Sequence, residues 1–208
     1  MTTFVTGAAG SGKSRFVTER VVGDLKAGKK VILLVPEQQA VIAENALTDA
    51  AKGIPTVELE VLNFSRLANR VFRSFGGLSY HYIGRGAKAL IMWRALSSVA
   101  PMLGEYRGVS LSDAGVLHRL LDLMSEFKSF RIRPSQLEKA AGNLRDRSLK
   151  KKLADLSLIY AAYESILKEG YDDPEDDLTR LADLLDEHDF FSDYTVYIDS
   201  FYSFTPAE

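Results

Sequence analysis

Gly7-Ala8-Ala9-Gly10-Ser11-Gly12-Lys13-Ser14 satisfies the pattern G-x-x-x-x-G-K-[ST] at every fixed position. Each residue type has a task in holding a phosphate chain. Glycine lets backbone N–H groups turn inward around an anion where a side chain would block the approach or forbid the dihedral. Lys13 is placed to reach the β- and γ-phosphates, Ser14 to ligate Mg²⁺, and a helix starting there adds the partial positive charge of its N-terminus. The chemistry implied is binding of ATP with Mg²⁺ across Gly7, Ala8, Ala9, Gly10, Ser11, Gly12, Lys13 and Ser14. A glycine turn of purely structural use is the bland alternative.

Such a loop needs a strand before it and a helix after it. Thr3 to Thr6 are β-branched and aromatic, which predicts a buried strand. Phe16, Val17, Val21, Val22 and Leu25 fall on one side of a helix over Lys13 to Lys26, which Gly28 is placed to end. Val31 to Val35 is a continuous apolar run suited to a fully buried strand, closed by Pro36 before an alanine-rich helix from Glu37 to Ala51. Val57, Leu59 and Val61 alternate with Glu58 and Glu60, the pattern of a strand near a sheet edge. Strands separated by helices imply a parallel sheet.

From Ser65 to Glu187 the periodicity is helical. Helices are expected around Leu67, Val71 and Phe75, over Leu90 to Val99, over Val116 to Phe127, and after Pro134, where Ser135-x-x-Glu138 has the form of a capping box. A longer helix carries Leu149, Leu153, Leu156, Ile159, Tyr160, Tyr163 and Leu167 and ends at Gly170. A last one runs from Pro174 to Glu187. Thr195 to Asp199 returns to strand and ends on a carboxylate. The expected fold class is α/β, a parallel P-loop sheet of about four strands with a large all-helical insertion. The expected segments are 1–64, the first part of the sheet; 65–187, the insertion; and 188–208, the return to the sheet.

At 208 residues and 46% hydrophobic the chain can bury one good-sized core or two small ones. It contains 0 cysteines, which excludes disulfides, thiolate metal sites and cysteine nucleophiles within these residues. No stretch approaches the length of a membrane span and the N-terminus has no signal-peptide pattern, so no membrane partner and a cytoplasmic location are expected. A net charge of -2 neither supports nor excludes DNA, because a local basic strip can hold a strand on a near-neutral domain.

Smaller signals have bland readings beside functional ones. Arg66, Arg70 and Arg73 recur at helical spacing beside Phe64, so Phe64, Arg66 and Arg70 are candidate contacts to single-stranded DNA, or else a solvated face. Arg145, Arg147, Lys150, Lys151 and Lys152 form a basic run read as exposed surface. Asp172, Asp173, Glu175, Asp176 and Asp177 suit a helix start better than a metal site. His81, His118 and His188 show no ligand spacing. Glu126-Phe127-Lys128 has a nuclease-like Glu-x-Lys form, read as chance, and Trp93 is read as core.

Phe4-Val5-Thr6-Gly7-Ala8-Ala9-Gly10-Ser11-Gly12-Lys13-Ser14, Leu34-Val35-Pro36-Glu37-Gln38 and Asn63-Phe64-Ser65-Arg66-Leu67-Ala68 together resemble the first motifs of the B subunit of AddAB-type ATP-dependent helicase/deoxyribonucleases. Tyr171 to Leu178 and Tyr197 to Glu208 resemble the approach to its second ATPase motif, so the resemblance spans the chain. It implies a superfamily 1 helicase-like, RecA-like sheet, incomplete here, in a protein that resects DNA ends in bacterial double-strand break repair beside an A subunit as heterodimer partner. It also implies a nuclease (exonuclease, hydrolase) activity in the remainder of the B subunit and Asp199 as a ligand of the nucleotide's Mg²⁺.

Three features depart from active helicases. Asp199 is followed by Ser200 where they carry glutamate, and a serine cannot serve as an anionic base, so weak or absent hydrolysis is expected. The chain also lacks a glutamine-bearing segment before the first strand and stops just after the second motif, as a fragment of a longer protein would. Two rival functions stay open: a free-standing P-loop phosphotransferase, and a non-catalytic scaffold that docks a partner.

Overall fold

A computed structural model describes residues 2–79, 81–108 and 113–208. The order is α1 (Lys13–Lys26), β1 (Lys30–Leu34), α2 (Ala40–Ala50), β2 (Leu59–Leu62), α3 (Phe64–Phe75), α4 (Arg85–Val99), α5 (Ala114–Ser129), α6 (Pro134–Asn143), α7 (Arg147–Leu167), α8 (Asp177–Glu187) and β3 (Tyr194–Ile198), with short 3₁₀ turns at Glu37–Gln39, Ala100–Met102 and Pro174–Asp176. Chain contacts divide it into two units, Met1–Leu78 with Leu181–Phe204 and Glu208, and Ser79–Arg180 with Thr205–Ala207.

The first unit is α/β. Its three strands are all parallel, in the order β2-β1-β3, with Val31 opposite Leu59 and Leu34 opposite Ile198. β1 is central and buried on both faces, as its unbroken apolar run requires. Burial of Val31, Ile32, Leu33 and Leu34 stabilises the sheet by about 1.5–3 kcal/mol per side chain. Val17, Val21 and Leu25 of α1 and Ala40 and Leu47 of α2 complete that core.

Two strand expectations need correction. Thr3 to Thr6 form no strand: they carry no regular structure, and Phe4 is 87% exposed. β-propensity is local, but a strand exists only where a neighbour completes its ladder, and none of the three strands pairs with this segment. The sheet therefore has three strands among the described residues rather than about four. In the second case the strand lies at Leu59–Leu62 rather than from Val57, which stays exposed. Its register with β1 begins at Val31 opposite Leu59, with Val31 N–H donating to Glu58 O at 2.8 Å, so Val57 lies just before the ladder.

The second unit is helical. Ile91, Met92, Ala95, Leu96 and Val99 of α4 meet Leu120, Leu121 and Met124 of α5 and Leu156, Ile159, Tyr160 and Tyr163 of α7. Aspartates start two of these helices: Asp113 accepts from Gly115 N–H at 2.8 Å and Asp146 from Leu149 N–H at 2.8 Å.

The cap of α6 is not the expected Ser135/Glu138 box. Pro134 takes the first helical position, which puts Ser135 inside the helix, and Gln136 accepts from the Arg133 backbone N–H at 2.7 Å. Trp93 is not core either. It is 47% exposed, because the buried row of α4 runs through Ile91, Met92, Ala95, Leu96 and Val99 and leaves Trp93 with Leu90 on the outer face.

Candidate functional site

The glycine-rich segment enters α1 through two left-handed residues, Gly10 at φ 74° and Gly12 at φ 86°, a region that costs other residues about 1–2 kcal/mol. Ser11 N–H donates to Ala8 O at 3.2 Å, closing a turn. Gly7 sits against that turn: a Cβ there would lie 2.5 Å from Ser11 Oγ and 3.3 Å from Ser11 Cβ. Lys13 Nζ folds back into the segment and donates to Gly7 O at 2.9 Å and Ala8 O at 2.8 Å. The first N–H groups of α1 have no intrahelical acceptor by construction, and the segment around them is exposed. Ser14 is exposed, and its carbonyl accepts from Thr18 Oγ1 at 2.9 Å. Backbone donors at a positive helix end, beside a lysine whose partners are only carbonyls, are groups of the kind that engage an anion.

α1 is tied to the sheet by Tyr197 of β3, whose hydroxyl donates to Asp24 Oδ2 at 2.7 Å. Burial, together with that bond to a carboxylate, pushes the Tyr197 hydroxyl up to about 12. Hydrogen bonds from Lys29 and Tyr197 hold Asp24 below the usual carboxylate range.

Because the strands are parallel, their carboxyl ends share one edge, where ligands of open α/β sheets bind. Val35 N–H donates to Leu62 O at 2.9 Å and Asp199 N–H to Leu34 O at 3.1 Å, holding three motif segments in step. Pro36-Glu37-Gln38 leave β1 there, Asn63-Phe64 leave β2, and Asp199-Ser200-Phe201 leave β3. Asn63 caps α3 by accepting from Arg66 N–H at 2.8 Å, which turns Phe64 toward the last segment. The Phe64 ring lies 5.5 Å from Phe201 and 6.4 Å from Phe204, both edge-on, and Phe201 stacks on Phe204 at 4.8 Å. Tyr202 beside them is fully exposed. The segment Phe201 to Phe204 completes a cluster of which the sequence pattern had shown Phe64 alone.

Asp199 accepts from Ser200 Oγ at 3.2 Å, and Ser200 has φ 65°. A left-handed serine is uncommon, and such residues gather at functional sites. Ser14 and Asp199 take part in separate hydrogen bonds. Both candidate arginines have carboxylate partners. Arg66 Nη1 lies 2.9 Å from Glu44 Oε1 on the surface. Arg70 is more enclosed: Nε meets Glu60 Oε2 at 3.1 Å, Nη1 donates to Ser74 at 3.0 Å, Nη2 to Tyr194 at 3.3 Å, and the guanidinium lies 5.8 Å from the Phe190 ring centre.

The glycine-rich segment, the β1 exit, the α3 start and the β3 exit are the stretches that carry the family resemblance. Comparison with known proteins agrees: the family model described as "ADDB, N-terminal" matches residues 4–208. The chain belongs to this family. It is similar to proteins named as the B subunit of an ATP-dependent helicase/deoxyribonuclease, with 37% identity over 210 residues to that of Acetivibrio thermocellus and 35% over 210 residues to that of Clostridioides difficile. A third, from Caldanaerobacter subterraneus, is 35% identical over 207 residues. Each alignment covers 99% of this chain and 18% of the relative, so the chain spans about a fifth of the length of these relatives.

The second unit of this family member holds a buried ionic cluster that sequence reasoning missed. Asp173, whose side chain is 0% exposed, lies 2.6 Å from Lys88 Nζ and 2.8 Å from Lys128 Nζ. Lys88 also meets Glu175 at 2.8 Å, and Lys128 meets Asp176 at 2.9 Å. Asp173 in addition caps the 3₁₀ turn, accepting from Glu175 N–H at 3.0 Å. Burial pulls the Lys128 ammonium down, but Asp173, Asp176 and Glu164 outweigh it and raise it well above the usual lysine range. Burial opposes ionisation of Asp173, yet the two lysines hold it below its ordinary value. Glu164 Oε1 stands 3.0 Å from Lys128 Nζ without accepting a hydrogen bond, and burial raises its carboxyl. The remaining acids are spoken for: Asp172 accepts from Ser79, and Asp177 pairs with Tyr82 and Arg180. Groups of three or more potential metal ligands are absent among the described residues. No helix among them is long and apolar enough to cross a membrane.

Proposed function

We propose that this chain is the nucleotide-binding, DNA-associated N-terminal part of a helicase/deoxyribonuclease B subunit that works with an A subunit in repairing DNA breaks. In this reading Gly7 to Ser14 form a P-loop on a RecA-like sheet and receive the phosphates of ATP. The observation that carries it is the closed segment itself. A Cβ on Gly7 would crowd Ser11, Gly10 and Gly12 take left-handed dihedrals, and Lys13 rests on two carbonyls that it can exchange for phosphate oxygens. The ammonium already makes charge-assisted bonds to these carbonyls, and exchanging them for phosphate oxygens adds the attraction between opposite full charges, which favours the anion. Ser14 and Asp199 would share the nucleotide's Mg²⁺.

Ser200 beside Asp199 supplies no anionic base, so the chain binds ATP and turns it over weakly or not at all. The aromatic cluster of Phe64, Phe201 and Phe204 with the exposed Tyr202 supports DNA contact, since bases stack on such faces for about 1–3 kcal/mol each. The same missing base favours one second reading, a non-catalytic scaffold that holds a partner and keeps the loop as a relic.

The test is titration of the full-length protein with a fluorescent ATP analogue and Mg²⁺ beside Lys13→Ala, with phosphate release followed in the same samples. Binding that disappears with Lys13, without turnover, is expected. Robust Lys13-dependent turnover would overturn the weak-hydrolysis claim, and partner capture unaffected by Lys13→Ala with no nucleotide binding would favour the scaffold.

A further inference from the structure

The N-terminal end of α7 breaks the electrostatic rules that its other helix features obey. Residues 144–152 contain five cations, Arg145, Arg147, Lys150, Lys151 and Lys152, against the single acid Asp146, a formal charge of +4 in a chain of net charge -2. All five are exposed. Arg147, Lys150 and Lys151 share an arc of about 100° at the helix start, where i, i+3 and i, i+4 spacing sets like charges against one another. They also sit at the positive end of the helix dipole, and the first turn has no acidic residue to offset them.

Local pairing does not explain the arrangement. Among the described residues, Arg145, Arg147, Lys150 and Lys152 take part in no ion pair or side-chain hydrogen bond, and Lys151 only approaches Glu105 at 4.0 Å. Nor does the helix need them. Asp146 caps it, and Leu156, Ile159, Tyr160 and Tyr163 bury its inner face. Gly142 and Asn143, at the end of the preceding helix, are small and exposed, leaving the approach open. A locally unfavourable feature that one capping aspartate offsets only in part points to function.

We propose that this end of α7 is a docking surface for the phosphate backbone of DNA, bound without regard to sequence. The inference rests on the DNA-acting reading above and adds a surface separate from the aromatic cluster. Point charges on flexible stems hold phosphates without reading bases, and each phosphate neutralised contributes about 0.9 to the salt dependence of binding.

The test is the full-length protein carrying Arg145→Gln, Arg147→Gln, Lys150→Gln and Lys152→Gln together, titrated with a blunt duplex of mixed sequence across a series of salt concentrations, beside Phe64→Ala. A log–log salt slope shallower by about 3–4 is expected, and with it an affinity weaker by about a thousandfold near 0.1 M salt. The melting temperature should be unchanged or higher, because the substitutions relieve repulsion. An unchanged affinity and slope would overturn the proposal while leaving the DNA reading intact. So would a lowered melting temperature, which would make the cations structural, or the same loss for anionic vesicles with DNA unaffected. A parent protein that binds no DNA would overturn the DNA reading and this surface with it.

Discussion

Lys128 Nζ and Asp173 Oδ2 lie 2.8 Å apart with their side chains 4% and 0% exposed, a charge pair closed away from water in the helical unit. Removing one partner of a buried pair typically costs about 3–5 kcal/mol, here at the low end because Asp173 keeps Lys88 at 2.6 Å and loses only half of its neutralisation. Lys128→Met should therefore lower the stability of the helical unit by about that amount in urea unfolding. Combining it with Asp173→Asn should cost much less than the sum of the two single changes. Additive losses would mean that the two charges do not depend on each other.

Glu164 gives the same cluster a pH signature of opposite sign to Asp173. Asp173 is lowered in the fold, so its contribution is present above the unfolded carboxylate range and is lost as pH falls through its lowered value. Glu164 is raised from 4.5, so the fold prefers its neutral form, and that preference is fully expressed below the unfolded value and lost as pH rises through the folded one. Glu164→Gln should accordingly raise the melting temperature at pH 7 and leave it unchanged near pH 4. A gain that is larger in acid than at neutrality would show that the carboxylate is needed ionised.

The elements that could be read from sequence were those whose signal is internal. α1, α3, α5 and α7 carry apolar stripes at helical spacing, and β1, after the exposed Lys30, follows the buried apolar run that begins at Val31. Thr3 to Thr6 failed because a strand depends on a neighbour that composition does not name. The ionic cluster was missed for a different reason. Lys128 continues the buried row Leu120, Leu121, Met124 at helical spacing, and Lys88 begins the row Ile91, Met92, Ala95, Leu96. A lysine on an apolar stripe demands a buried carboxylate, and the acidic run at 172–177 could have been paired with it on that ground. The partner of Phe64 was less accessible, since Phe201 and Phe204 lie more than a hundred residues away and only the parallel order of the strands brings them to the same edge.

Arg70 and Arg66 look alike in sequence and differ in the fold. Arg70 forks onto Glu60, Ser74 and Tyr194 with its side chain 39% exposed, whereas Arg66 makes one contact to Glu44 at 52% exposure. Screening leaves an exposed single pair little value, while several shared hydrogen bonds retain about 1 kcal/mol. Arg70→Ala should therefore destabilise the α/β unit by about 1 kcal/mol and Arg66→Ala by a few tenths at most. Coupling between Arg70 and Glu60 in a double-mutant cycle would confirm the pairing. An Arg70→Ala protein as stable as its parent would remove that structural role and leave the arginine free for DNA.

Gly7 and Ser11 test the shape of the loop independently of its charge. A Cβ on Gly7 would meet Ser11 Oγ at 2.5 Å and Ser11 Cβ at 3.3 Å. Rotating the hydroxyl relieves the first contact but not the second, so the backbone must shift and carry with it the Gly7 carbonyl on which Lys13 rests. Gly7→Ala should weaken binding of the ATP analogue by about tenfold, equivalent to about 1.4 kcal/mol. Adding Ser11→Gly removes both contacts and should restore most of the loss, even though it introduces a more flexible residue. Recovery in the double variant ties nucleotide binding to this one close approach. Equal weakness in the single and double variants would mean that the Gly7–Ser11 contact does not shape the binding conformation.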